Sequence, residues 1–239
     1  MDNHLLKNLQ SIDKTKKEFF VSQIFSQVSE KYDLMNDIMS LGLHRLWKKE
    51  FINFVNPKNN QIILDLASGS GDITKLIKKN CNPQCIVFDS SLEMIIQAKK
   101  KLKNFDIIYI NGHAENLPFR NQFFDKVIVS FGLRNFSDIE KSLREINRVL
   151  KKGGDFLCME FSEINNLLFR KFFDFYSKII PKYGKLFSNN EHAYKYLIES
   201  IKLFPNQIEL SKKIKMSGFK DIKVIDIMGG IAAIHISKK

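Results

Sequence analysis

The 239-residue chain is 44% hydrophobic, enough for one sizeable core, and its three cysteines are too few and too poorly placed for a disulfide framework. Its 38 basic against 26 acidic residues give a net charge of +12, spread over every segment, which reads as a solvated lysine surface with attraction toward an anionic partner such as a membrane face or nucleic acid. No apolar run approaches the roughly 18 residues of a spanning helix and no signal-peptide core opens the chain, so the expectation is a cytoplasmic protein that meets membrane only peripherally, on its inner face.

Residues 1–20 are polar and lysine-rich and predict a frayed or loose helix. From Val21 to Val55 apolar residues recur at helical spacing (Val21, Ile24, Phe25, Val28, then Leu43, Leu46, Trp47, Phe51, Phe54), and Asn56-Pro57 closes this helical segment. A regular alternation follows: strand 62–66, helix 72–80, strand 85–88, helix 92–103, strands 107–110 and 125–131, helix 138–150 and strand 155–161. That order predicts an α/β fold with a mostly parallel sheet and helices on both faces. After residue 206, a helix to Met216, strand 221–227, the turn Met228-Gly229-Gly230 and strand 231–236 predict a C-terminal antiparallel hairpin.

The first strand and its exit, IILDLASGSGD at 62–72, run from an apolar stretch through Asp65 into a turn with Gly69 and Gly71. Such a turn brings backbone close to a nucleotide-type ligand at a helix start. The second strand ends in Asp89, twenty residues past Gly69, where a ribose-binding acid belongs. Counting from Gly69, the third glycine of a dinucleotide fingerprint is replaced by Thr74, which favours S-adenosylmethionine over NAD. Ser90 with Glu93 reads as a capping box for the next helix. INGHAENLPF places His113 and Ala114 beyond the third strand, against an adenine edge, and the fourth strand ends at Ser130 beside the first. Cys81 and Cys85 lack further ligands, so ordinary packing and no metal are expected. The segment 164–181, INNLLFRKFFDFYSKIIP, is apolar around most of a helix. It reads either as a helix wedged between core and lid or as a greasy entrance for a lipid tail.

KYDLMNDIMSLGLHRLWKK at 31–49, FGLRN at 131–135, AYKYLIESIKLFPNQ at 193–207 and GGIAAIH at 229–235 together resemble the signatures of the UbiE (MenG) family of class I methyltransferases. The resemblance implies a Rossmann-like domain spanning 1–239: N-terminal helices 1–56, cofactor-binding core 57–162, helical insert or lid 163–205, and C-terminal helix and hairpin 206–239. It implies S-adenosylmethionine-dependent C-methylation of a polyprenyl benzoquinol or demethylmenaquinol in ubiquinone and menaquinone synthesis. Implied partners are a lipid-soluble quinol, a quinone-synthesis complex and a second copy of the chain, with no nucleic acid. Ser70, Asp89, His113, Ala114 and Ser130 correspond to cofactor contacts, and Asp65, Gly69 and Gly71 shape the pocket. Ser68, Ser70 and Ala193 depart from the family pattern.

Methylating a ring carbon requires electron density on it, and a cation near a quinol oxygen favours the phenolate. Arg134, with Asn135 beside it, is the candidate cation; its bland alternative is an ion pair with Asp138. Tyr32, Asp33, His44 or His192 could take the proton, and Tyr32 ranks first because it resembles a family pocket residue. Two other classes stay open: a nucleic-acid or other small-molecule methyltransferase, and a noncatalytic member of a quinone-synthesis complex.

Overall fold

The computed structural model describes residues 13–29, 32–164 and 191–239. Among the described residues, three helices, α1 (Lys14–Val28), α2 (Tyr32–Ser40) and α3 (Leu43–Val55), precede the sheet. The order is then β1 (Ile62–Leu66), α4 (Asp72–Asn80), β2 (Gln84–Asp89), α5 (Leu92–Lys101), β3 (Ile107–Asn111), β4 (Phe124–Ser130), α6 (Ile139–Val149) and β5 (Leu150–Phe161). The chain continues as α7 (Glu191–Lys202), α8 (Gln207–Met216), β6 (Lys220–Ile227) and β7 (Ala232–Lys238).

The seven strands lie in the order β3-β2-β1-β4-β5-β7-β6. The first five are parallel, and β7 runs antiparallel between β5 and β6. The two-residue period of a strand sorts the buried side chains between the faces. Leu64, Leu66, Ile86, Phe88, Val127, Val129 and Phe156 pack on one face with Leu143 and Ile146 of α6 and Leu210 and Ile214 of α8. Ile63, Cys85, Ile128, Leu157 and Met159 pack on the other with Trp47 and Phe51 of α3 and Ile73 and Ile77 of α4. A third cluster joins Phe20, Val21, Ile24 and Val28 of α1 to Met35 of α2 and Tyr194 and Tyr196 of α7. The chain order reverses at β1, between β2 and β4, so the carboxyl ends of these three strands frame a crevice.

The structure corrects several expected boundaries. Of the segment 1–20 expected to be a frayed or loose helix, residues 14–20 belong to α1, one side of which is buried against α7, and residues 1–12 lie outside the described residues. The helix after β2 is capped by Ser91, whose hydroxyl accepts from the Met94 N–H, and not by Ser90. Asp89 remains the last residue of its strand. β5 begins at Leu150, before the Gly153-Gly154 pair, because Leu150 already pairs with Phe124; the register shifts before Lys126 meets Asp155. Of the apolar segment 164–181, residues 165–181 lie outside the described residues, as do the side chains of Met39 and His192.

Candidate active site

Leaving β1, the chain turns through Gly69 and Gly71, both in the left-handed region at φ +54° and +82°, and Gly71 caps α4. A Cβ on Gly69 would stand 3.4 Å from the Tyr32 ring, an ordinary van der Waals contact, so it is the left-handed φ and not the ring that calls for glycine there. Asp65, 1% exposed, sits beneath. It accepts from the Thr74 hydroxyl at 2.6 Å and the Thr74 N–H at 3.1 Å. Burial pushes its carboxyl up to about 7 despite those bonds. Asp65 therefore tethers the start of α4, which is how it shapes the turn.

Asp89 closes the turn from β2. One carboxylate oxygen accepts the Gly69 N–H at 2.8 Å and the other the Ser91 N–H at 2.9 Å. Burial raises its pKa while these backbone donors oppose the shift. Each oxygen retains a further acceptor site. Asp89, His113 and Ala114 line one cleft, of about 390 Å³ and partly open to solvent, whose apolar walls include Val21, Leu66, Phe88 and Phe136. A carboxylate for vicinal hydroxyls beside apolar walls for a flat base fits the adenosyl part of S-adenosylmethionine. The α1 helix is strapped across: Lys17 Nζ donates to the Phe136 carbonyl at 2.6 Å and the Arg134 carbonyl at 3.4 Å.

A second cavity, on the Arg134 side, is lined by Tyr32, Ser130 and Arg134 together with His44, Phe161 and Leu197. Arg134 follows β4 in a short 3-10 turn, Leu133–Asn135. Its guanidinium donates to Glu160 Oε1 at 2.7 Å and to the Phe131 carbonyl, and lies 5.4 Å from the Phe161 ring centre. The other Glu160 oxygen accepts the Arg134 backbone N–H at 3.3 Å. Both side chains are at most 3% exposed. Burial raises the Glu160 pKa and Arg134 pulls it back. Among the described residues, Arg134 Nε and Ser130 Oγ, both belonging to residues that line this cavity, are buried without a hydrogen-bond partner. Burial also raises the Tyr32 pKa, with Arg134 and a hydrogen bond with Asn36 opposing, so Tyr32 keeps its proton and is a poor base.

The partner of Arg134 is thus Glu160. Asp138 instead caps α6, accepting the Lys141 N–H at 2.9 Å. The only local signal for Glu160 is a lone acid near the end of the apolar strand FLCMEF. Asn135 does not join Arg134: it lines the first cleft, where the Tyr196 hydroxyl donates to its Oδ1 at 2.9 Å. Ser70 lines neither of these two cavities. Its hydroxyl donates to Asp33 at 3.0 Å and accepts from Lys101 Nζ at 2.6 Å. Lys101 also reaches Asp33 and Asp72, each at 2.6 Å, and Lys48 reaches Asp72 at 2.7 Å. Burial would push the Asp72 carboxyl up, but Lys48 and Lys101 hold it well below the usual carboxylate range. Asp33 is therefore committed to a cation and is not a free proton acceptor. The cluster joins α2 to α4 and α5 beneath the cofactor turn.

The profile of the ubiE/COQ5 methyltransferase family matches residues 11–239. The chain belongs to this family. It is 46% identical over 240 residues to the ubiquinone/menaquinone biosynthesis C-methyltransferase UbiE of Rickettsia prowazekii, covering 96% of each chain. It is 47% identical over 237 residues to the UbiE of Rickettsia massiliae, covering 95% of each. In fold it resembles a methyltransferase dependent on S-adenosylmethionine from Thermotoga maritima, with TM-score 0.67 and 19% identity over 92% of this chain and 99% of that one. It also resembles one from Methanococcus maripaludis, with TM-score 0.62 and 18% identity over 90% and 93%. As a member of the ubiE/COQ5 family, this protein is an S-adenosylmethionine-dependent methyltransferase. Among the described residues no group of three or more His, Cys, Asp or Glu could hold a metal ion, and no helix is long and apolar enough to cross a membrane.

Proposed function

We propose that this family member C-methylates the ring of a polyprenyl benzoquinol of the 2-polyprenyl-6-methoxy-1,4-benzoquinol type, demethylmenaquinol, or both, in ubiquinone and menaquinone synthesis. The observation that carries the reading is the pair of neighbouring cavities at the carboxyl ends of the sheet. One carries Asp89 and the shape of a nucleoside site. The other combines aromatic and aliphatic walls with a buried guanidinium, suiting a flat oxygenated ring. Its UbiE relatives carry the named quinone-pathway role over nearly their whole length.

In this reading Asp89 receives the ribose hydroxyls, and His113 and Ala114 border the adenine. The bound donor supplies a methyl group with cation character. Phe131 and Phe161 wall the ring, and their apolar surroundings keep water from competing for the methyl. Arg134, already fixed by Glu160 and the Phe131 carbonyl, offers its unpaired Nε–H toward charge developing on a ring oxygen at little reorganisation cost. Tyr32 donates a second hydrogen bond. The lipophilic substrate calls for contact with the membrane surface in which it dissolves, and the net charge of +12 favours anionic lipid. Assembly into a quinone-synthesis complex or a homodimer belongs to the same proposal.

The test is anaerobic: purified protein, methyl-labelled S-adenosylmethionine and each chemically reduced quinol are incubated, and the product ring is analysed by mass spectrometry and NMR. Label on a ring carbon supports the reading. Label on neither quinol, with the donor shown to bind, sinks it.

A further inference from the structure

The cavity beside Arg134 contains an imidazole whose tautomer is dictated by its neighbours. His44, the second residue of α3, is 4% exposed and lines that cavity. Its Nδ1 lies 2.8 Å from Ser40 Oγ at the end of α2. The serine hydroxyl has a single proton, and the Asn36 carbonyl takes it at 2.7 Å. The same oxygen accepts the His44 backbone N–H at 3.2 Å. Ser40 therefore has only acceptor capacity left for the ring, so Nδ1 carries the hydrogen and donates. Nε2 is left with a lone pair and no hydrogen-bond partner among the described residues. A buried histidine held through one nitrogen with the other free is the arrangement that proton transfer needs.

We infer that His44 Nε2 accepts the proton of the quinol hydroxyl during methyl transfer. The inference rests on the quinol reading above. The O–H bond breaks toward Nε2, and its electron pair stays on oxygen and is shared into the ring. The carbon thereby enriched forms the bond to the methyl, while the methyl–sulfur bond breaks and leaves its pair on sulfur. The hydrogen on the methylated carbon is then lost to water as a proton, its bonding pair returning to the ring, and Nε2 gives its proton back to the quinol oxygen, which restores the aromatic quinol and the neutral imidazole.

The surroundings set the basicity. Burial and Lys48 lower the His44 pKa to about 4, against Asp37 and Asp72, which raise it; Arg45 adds to the lowering. Asp37 lies 3.8 Å from Nδ1 but is held by Arg45 in two bonds of 2.6 Å. Tyr32 and Arg134, the latter with Glu160 behind it, line the cavity's other sides. The imidazole is thus neutral throughout the neutral range. A weak base suffices, because the hydroxyl turns strongly acidic as the carbon–carbon bond forms and the ring charge drains onto the methyl.

The test compares wild type with His44→Asn and His44→Gln in anaerobic single turnovers with reduced quinol, alongside calorimetric binding of S-adenosylmethionine. Donor affinity should stay within about twofold. The transfer rate should fall by roughly a hundredfold or more, and in the variants it should climb with pH as the quinol ionises without help, while the wild-type rate stays flat from about pH 6 to 9. In His44→Gly, added imidazoles should restore rate in proportion to their basicity. A folded variant with wild-type turnover overturns the inference. So does a loss that neither pH nor imidazole relieves, which assigns His44 to packing. Wild-type protein that binds donor yet leaves the quinol unmethylated overturns the quinol reading itself, a result visible before any variant is made.

Discussion

Replacing Arg134 by glutamine removes one member of an ion pair whose side chains are 3% and 2% exposed. Glu160 would keep only the backbone N–H groups of Arg134, at 3.3 Å, and Phe161, at 2.9 Å. Stranding a buried charge this way costs about 3 to 5 kcal/mol. The carboxyl can limit that cost by taking a proton, so the loss should be smaller at pH 5 than at pH 8. Glu160→Gln should cost about as much, by stranding the guanidinium. The double variant Arg134→Gln with Glu160→Gln leaves no buried charge, and its stability should recover to within about 1 to 2 kcal/mol of wild type, so the two single losses are far from additive. Turnover should not recover with it. If the guanidinium supports charge on the ring oxygen, the double variant should bind S-adenosylmethionine normally yet transfer methyl about a hundredfold more slowly. Urea unfolding of the four proteins and anaerobic single turnovers measure the two effects separately. A double variant that regains both stability and turnover would show that Arg134 serves only the fold.

Asp89→Asn should weaken S-adenosylmethionine binding by about tenfold to a hundredfold, because an amide must turn one of its ends toward an N–H and loses charge-assisted acceptance; unchanged affinity in calorimetry would remove it from the ribose site. Asp65, pushed up to about 7, keeps in the folded state a proton that the unfolded chain releases near pH 4, so its contribution to stability falls as pH rises between about 4 and 7, by up to about 4 kcal/mol. Asp65→Asn should therefore gain on wild type as pH rises from 5 to 8 in urea unfolding, and an identical pH slope in both proteins would contradict the shift. Gly71→Ala combines a φ of +82° with a Cβ 2.8 Å from the buried Leu102 side chain and should cost about 2 to 4 kcal/mol; a melting temperature equal to wild type would show that the turn relaxes freely.

Much of the fold was legible because its signals are local. The bounds expected for β1 and α4 coincide with Ile62–Leu66 and Asp72–Asn80, since a continuous apolar run, an acid and glycine punctuation identify a buried strand, its exit and the next helix within a dozen residues. The same locality placed Asp89 at a strand end and the glycine turn opposite it, and with them the cleft proposed for the cofactor. Errors arose where a neighbour in space competed with the local signal: Ser91 displaced Ser90 as cap, and Leu150 entered the sheet early because Phe124 was there to pair with it.

The polar partnerships of the second cavity were decided by tertiary structure. Arg134 and Glu160 are 26 residues apart and meet because β4 and β5 are neighbours in the sheet. Ser70 meets Asp33 across 37 residues and Lys101 across 31 because α2 and α5 converge on the glycine turn. Adjacent Arg134 and Asn135 separate into different cavities because a 3-10 turn points successive side chains apart. A periodic pattern of apolar residues states which face of an element is buried, and it stated that well for this chain. It carries no information on which charge on another element will stand opposite, and burial makes that choice decisive: a cation beside a carboxylate is held in place, while a neutral imidazole bonded to a serine keeps its lone pair.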